Sequence, residues 1–211
     1  MKNTFNFLIE IGKLKNVKRK GITFYGVKNP ETTNDHTFRM AMMAWIFGAR
    51  KKLNLEKLIK IALVHDLCKV YAGDITPYDG FLPKDKRERY KFVRKWPRLP
   101  KKQKERWAAQ KFKKEYSALK KLTSELPKEL QKETLSLWIE YTKLTTPEGK
   151  FVYQLDMAEN LLEAFEHWKR DKKFPTEPWW QHAEEMIDDP ILLKLLKEIE
   201  KEELKGGKVK T

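Results

Sequence analysis

Cysteine is almost missing from this sequence. Cys68 is the only one in 211 residues, so no disulfide can form within the chain and a reducing, cytoplasmic setting is expected. Long apolar runs are missing too: no stretch approaches the roughly 18 uninterrupted apolar residues that suggest a membrane-crossing helix. The amino-terminal stretch MKNTFNFLIEIGKL carries a charge, Glu10, inside its apolar run and has no small-residue cleavage site. It reads as a first helix and not as a secretion signal. Glycine and proline are sparse, at 9 and 10 residues, which excludes collagen-like and low-complexity classes. Strand-like alternation is absent over any useful length, and no repeat or domain linker interrupts the pattern.

What remains is 40% hydrophobic and 36% charged, the mix of a soluble, helix-rich globular protein. The fold class expected is all-α, in one domain. Amphipathic spacing predicts a helix over 4–15, an irregular basic stretch to Thr33, and a helix starting near Asn34 or Asp35. A second apolar helix is predicted over 55–72, ended by Gly73, then a long connection over 74–100 with one short helix. Further helices follow over 101–124, from Pro127 to Tyr141 and from Pro147 to about Arg170, with two more starting near Pro178 and Pro190. The net charge is +15, with 45 Lys plus Arg. A basic surface concentrates phosphate-bearing ligands, although most of this excess is lysine on solvated helix faces. The lysine-rich segment Lys84–Lys121 raises nucleic-acid binding as a lesser alternative, because no nucleic-acid motif accompanies the charge.

Histidine occurs four times, at His36, His65, His167 and His182. His65 is followed by Asp66 inside the apolar run IALVHDLCKV. A buried carboxylate beside an imidazole is costly without compensation. A metal ion compensates both; a hydrogen-bonded core histidine with Asp66 facing a loop is the alternative. His36, near the start of the preceding helix, and Asp156, among Val152, Leu155, Leu161 and Leu162, enlarge the set. Two imidazoles and two carboxylates suit one divalent Mn, Co, Fe, Zn or Ni ion better than calcium.

The order His…His-Asp…Asp resembles the HD superfamily of metal-dependent phosphohydrolases, and more narrowly its 5′-deoxynucleotidase branch. The matching pieces are LKNVKRKG, NPETTNDHTFRMAMMA, ALVHDLCKVYAGDITP and LWIEYTKLTTPEGKFVYQLDMAENLLEAFEH, in that order over most of residues 14–167. The tail KGGKVKT, 205–211, reads as disordered from its composition; the resemblance implies a single-domain HD helical bundle over 1–204, with a helical insertion at about 81–115. It implies metal ligation by His36, His65, Asp66 and Asp156, phosphate binding by Arg19, and a reaction-centre acid at Asp74. The implied substrate is a small phosphorylated molecule, a (deoxy)nucleoside 5′-monophosphate, and the implied assembly is a homodimer.

Two positions depart from that branch. Lys69 stands where its members carry a glutamate four residues after the motif histidine. Three readings follow: a phosphate clamp with Asp74 orienting the water, a protein that binds nucleotide and metal without turnover, or a carboxylate supplied from another element such as Glu140. Ile22 stands where a tryptophan packs against the substrate, leaving apolar surface without a stacking face. Arg39, one turn after His36, is a further substrate contact or else pairs with Asp35 or Asp66. Cys68 reads as a small buried residue. His167 and His182 read as surface positions without a chemical role, and Trp168, Trp179 and Trp180 as core or dimer contacts. Trp96 and Trp107 mark the insertion, as a lid or an interface.

Overall fold

Each predicted helix has an identifiable start in the computed structural model, which describes residues 1–94 and 99–207. Trp96 and the end of the expected tail, 208–211, lie outside them. α1 (Lys2–Ile11) runs into a 3-10 turn over Gly12–Asn16. The stretch expected to be irregular holds one short helix, α2 (Lys20–Thr23). It is tied down by a bridge between Lys18 and Thr32 and by the Arg19 amide donating to the Glu31 carbonyl at 2.9 Å. α3 (Thr33–Gly48) opens on a reciprocal capping box, Thr32 with Asp35, which satisfies two otherwise unpaired amides. Asp35 is therefore a capping residue and not a partner of Arg39.

The segment expected as one helix over 55–72 is broken. α4 (Leu55–Val64) ends at the motif, residues 65–68 form tight turns, and α5 (Lys69–Ala72) follows. Three-residue hydrogen bonds, in which the Leu67 amide donates to the Val64 carbonyl and the Lys69 amide to the Asp66 carbonyl, interrupt the regular ladder here. The tightening lets His65 and Asp66, adjacent in sequence, face the same point. Gly73 then turns the chain at φ 71°, a conformation that costs glycine nothing, and presents Asp74 to α5.

α6 (Lys86–Val93), α7 (Lys101–Thr123), α8 (Lys128–Lys143), α9 (Pro147–Arg170), α10 (Glu177–Met186) and α11 (Pro190–Gly207) complete the described chain. α11 takes residues 205–207 into helix, where a disordered tail is expected from composition. Among the described residues there is no strand, and no helix long and apolar enough to cross a membrane. α9 is the central helix, packed by α3, α4, α8, α10 and α11. The main core gathers Met40, Ala44, Leu58, Ile61, Leu155, Leu161 and Leu192 from these elements, all fully buried. α8 crosses α9 so closely that a Cβ on Gly149 would lie 2.3 Å from the Glu140 carbonyl oxygen. That approach sets Tyr141 of α8 over Asp156 of α9. A second cluster of Cys68, Ala72, Ala118, Leu119 and Trp138 seats α7 on α5.

Candidate metal centre and active-site cavity

α3 supplies His36, the end of α4 supplies His65 and Asp66, and α9 supplies Asp156. The Nε2 atoms of His36 and His65 lie 3.1 Å apart, and Asp156 Oδ1 lies 3.2 Å from His36 Nε2. Asp66 Oδ2 stands 3.8 Å from the first Nε2 and 3.5 Å from the second. Ligands held at about 2.0–2.2 Å from one ion sit roughly 3–4 Å from each other, so the mutual spacing of His36, His65 and Asp156, whose donor atoms all lie within 4.8 Å of one another, suits a shared cation, with Asp66 beside the two imidazoles. Protonation argues the same way. His36 Nδ1 faces Glu159, and His65 Nδ1 faces the Ala62 carbonyl at 2.7 Å. Both partners only accept, so both Nδ1 atoms carry hydrogen and both Nε2 lone pairs point inward. Two lone pairs and two carboxylates converging in a buried space need a positive charge, a proton or a metal. Without a metal the proton serves. Burial and Arg19 act to lower His36, yet Glu159 and Asp156 outweigh them and raise it to about 9.

The ligands are held from behind. The Tyr141 hydroxyl donates to Asp156 Oδ2 at 2.6 Å, and Asn160 Nδ2 donates to Asp156 Oδ1 at 2.8 Å. Glu159 fixes the His36 ring and is itself held by Arg39 Nε at 2.7 Å. Such partners set the tautomer and basicity of a ligand. Arg39 also pairs with Glu31 and Glu166 and is not on the cavity wall. Of the roles considered from sequence, substrate contact or pairing with Asp35 or Asp66, the structure shows Arg39 paired instead with three other carboxylates, Glu31, Glu159 and Glu166.

A cavity of about 480 Å³ opens over His65, Asp66 and Asp156, which line its floor. Arg19, Ile22, Lys69 and Asp74 all line it. Arg19 reaches Asn160, and approaches Asp66 at 3.4 Å and Glu163 at 3.8 Å. Lys69 Nζ bridges two carboxylates, Asp66 at 2.7 Å and Asp74 at 2.6 Å. Burial favours the neutral amine, but those two carboxylates outweigh it and keep Lys69 charged. Asp66 is held ionised in turn: burial would raise its carboxyl, and Lys69, His65, His36 and Arg19 overcome that. The second oxygen of Asp74 accepts the Lys20 amide at 2.7 Å. Both of its oxygens are therefore engaged.

The HD domain family profile matches residues 11–191. The chain belongs to this family. It is 33% identical over 202 residues to 5′-deoxynucleotidase HDDC2 of Bos taurus, covering 95% of this chain and 86% of that protein. The protein of that name from Dictyostelium discoideum is 33% identical over 177 residues, covering 81% of this chain and 80% of the relative. Two solved structures share the fold. One is a conserved hypothetical protein from Pyrococcus furiosus, with TM-score 0.67, 23% identity and coverage of 93% and 99%. The other is a predicted metal-dependent phosphohydrolase from Magnetospirillum magnetotacticum, with TM-score 0.66, 21% identity and coverage of 98% and 93%.

Several residues of this HD site were not singled out from sequence. Glu159, Asn160 and Glu163 follow Asp156 at three, four and seven positions, the spacing of one helix face. That polar stripe in an otherwise buried helix was the available signal. His182 and Trp179, read as surface and core, line the cavity wall, and burial lowers His182 to about 4. Trp179 also packs on Tyr25 at 5.1 Å. His167 is buried against Phe174 rather than exposed. Glu140, the carboxylate considered as a supplier, faces away to pair with Lys57 at 2.7 Å and is not on the wall. Cys68 is buried, and burial pushes its thiol up, so it is an inert packing residue.

Glu163 gives a pH prediction. Burial, opposed by Arg19, pushes its carboxyl from 4.5 up to about 8. The folded protein then keeps a proton that the unfolded chain has already released, so stability falls as pH rises across that interval. Glu163→Gln cannot ionise and is expected to gain on the wild type by roughly 1.4 kcal/mol per pH unit there. The check is the difference in Tm, followed from about pH 5 to pH 8. A flat difference would show that Glu163 is ionised throughout.

Proposed function

We propose that this protein is a metal-dependent phosphomonoesterase acting on nucleoside 5′-monophosphates, the deoxy forms foremost. The observation that carries the proposal is the inward convergence of the His36 and His65 lone pairs with Asp66 and Asp156, beneath a cavity whose wall holds Arg19. The donor set suits Mn, Co, Fe, Zn or Ni, with availability choosing among them. When bound, such an ion supplies Lewis-acid stabilisation of phosphate charge and makes water a competent nucleophile near neutral pH.

The chain's own residues supply the rest. Arg19 presents a guanidinium fork, the geometry that matches two phosphate oxygens. Its present partners are the neutral Asn160 amide, with Asp66 and the Glu163 carboxyl at longer range, so an incoming phosphate competes with loose contacts. Ile22 lines the cavity together with Arg19 and adds an apolar element to the wall for a sugar. Lys69 neutralises Asp66 and Asp74 and adds positive field on the phosphate side. Its positive charge rules it out as the base that a glutamate would provide there. The names and the coverage of the curated relatives support the nucleotide as substrate.

Lys69 also favours a second reading, a protein that binds metal and nucleotide without turnover. Phosphate release from a panel of deoxy- and ribonucleoside monophosphates separates the two, using protein stripped with chelator and reloaded with Mn²⁺, Co²⁺, Mg²⁺ or Zn²⁺. Release that depends on reloading supports the phosphomonoesterase. Silence with metal and nucleotide demonstrably bound supports the binding protein.

A further inference from the structure

Hydrolysis of a phosphate monoester leaves an alkoxide that must take up a proton. Among the carboxyl groups already placed on the cavity wall, Asp66 and Asp156 belong to the proposed cation site, Asp74 is held by Lys69 and the Lys20 amide, and Glu163 stands 3.8 Å from Arg19 on the phosphate-binding side. α7 brings another acid to the cavity. Lys104, Ala108, Lys111 and Glu115 recur at helical spacing and all line the wall. Glu115 lies at the inner end of this stripe, 5% exposed, next to the cluster of Cys68 and Trp138 that seats α7 on α5. Its ion-pair partner is Lys111, one turn back, at 3.6 Å, which is beyond hydrogen-bond range. A buried carboxyl so loosely paired is under pressure to hold its proton.

We propose that Glu115 is the general acid that protonates the leaving ester oxygen, taking over from α7 a carboxyl function that Lys69 cannot perform. The proposal rests on the phosphomonoesterase reading. In the step, the oxygen of water forms a bond to phosphorus, and the phosphorus–ester bond breaks with its electron pair on the ester oxygen. The Glu115 proton moves to that oxygen, releasing the nucleoside 5′-hydroxyl. The attacking water gives one proton to solvent, from which Glu115 recovers one, and hydrogen phosphate leaves. Burial raises the Glu115 carboxyl, against the pull of Lys111, with Asp66 adding to the rise and Lys69 opposing it. The shift runs in the direction an acid needs.

The test compares wild type, Glu115→Gln and Glu115→Asp, all metal-reloaded, on two substrates: a deoxynucleoside 5′-monophosphate, which expels a poor alkoxide, and 4-nitrophenyl phosphate, which expels a stabilised phenolate. Glu115→Gln is expected to lower kcat on the nucleotide by about 10²-fold or more, the usual worth of a general acid. The aryl ester should lose only a few-fold, and Glu115→Asp should recover part of the nucleotide rate. Equal losses on both substrates, or no loss on the nucleotide, would overturn the role of Glu115 while leaving the esterase reading intact. Wild type that releases phosphate from neither substrate would remove that reading and this proposal with it.

Discussion

Asp66→Ala is expected to lower metal-dependent phosphate release by about 10³-fold or more, since charge stabilisation by the ion amounts to several kcal/mol in the transition state. The effect is large because Asp66 has two roles. Its Oδ2 lies 3.8 and 3.5 Å from the His36 and His65 Nε2 atoms, within the proposed ligand set, and the same oxygen holds the Lys69 ammonium. Without it the proposed cation site keeps the two imidazoles and one carboxylate, and Lys69 keeps Asp74 alone. Metal content of the purified variant, read beside its rate, makes the outcome specific. A variant that retains stoichiometric metal and the wild-type rate would remove Asp66 from the ligand set.

Lys69→Ala is expected to cost stability rather than to act as a simple loss of a surface charge. Lys69 is buried between two buried carboxylates, and removing one partner of a buried ion pair typically costs about 3–5 kcal/mol. In a chain of this size that is a fall in Tm of roughly 10 °C in the metal-free protein. Metal should restore part of it, because an ion at the site neutralises Asp66 in place of the ammonium. Thermal unfolding with and without Mn²⁺ reads both effects. A metal-free Tm within about 2 °C of wild type would mean that Lys69 does not compensate the two carboxylates.

A histidine and an aspartate set into an apolar helix are physically anomalous, which drew attention to His65 and Asp66 with His36 and Asp156 beside them, and the family resemblance then named the four together. The same anomaly was present at Glu159 and Glu163, but there a charged residue on a helix looks like an ordinary solvated face until the neighbours of that face are known. Arg39 shows the converse. One turn after His36 it had the right chemistry for a phosphate, and only the positions of Glu31, Glu159 and Glu166 turned it outward. Neither choice is a property of one helix.

The sequence by itself determined that the chain is helical and where most helices begin, since caps, prolines and 3.6-residue spacing act locally, and the order of its histidines and aspartates pointed to the proposed metal site through a family resemblance. Tertiary structure alone decided the break between α4 and α5, the bridging of Asp66 and Asp74 by Lys69, and the arrival of Glu115 and His182 at the cavity. Each depends on how α5, α7, α9 and α10 pack together, and packing between residues far apart in the chain leaves no periodic trace in the sequence.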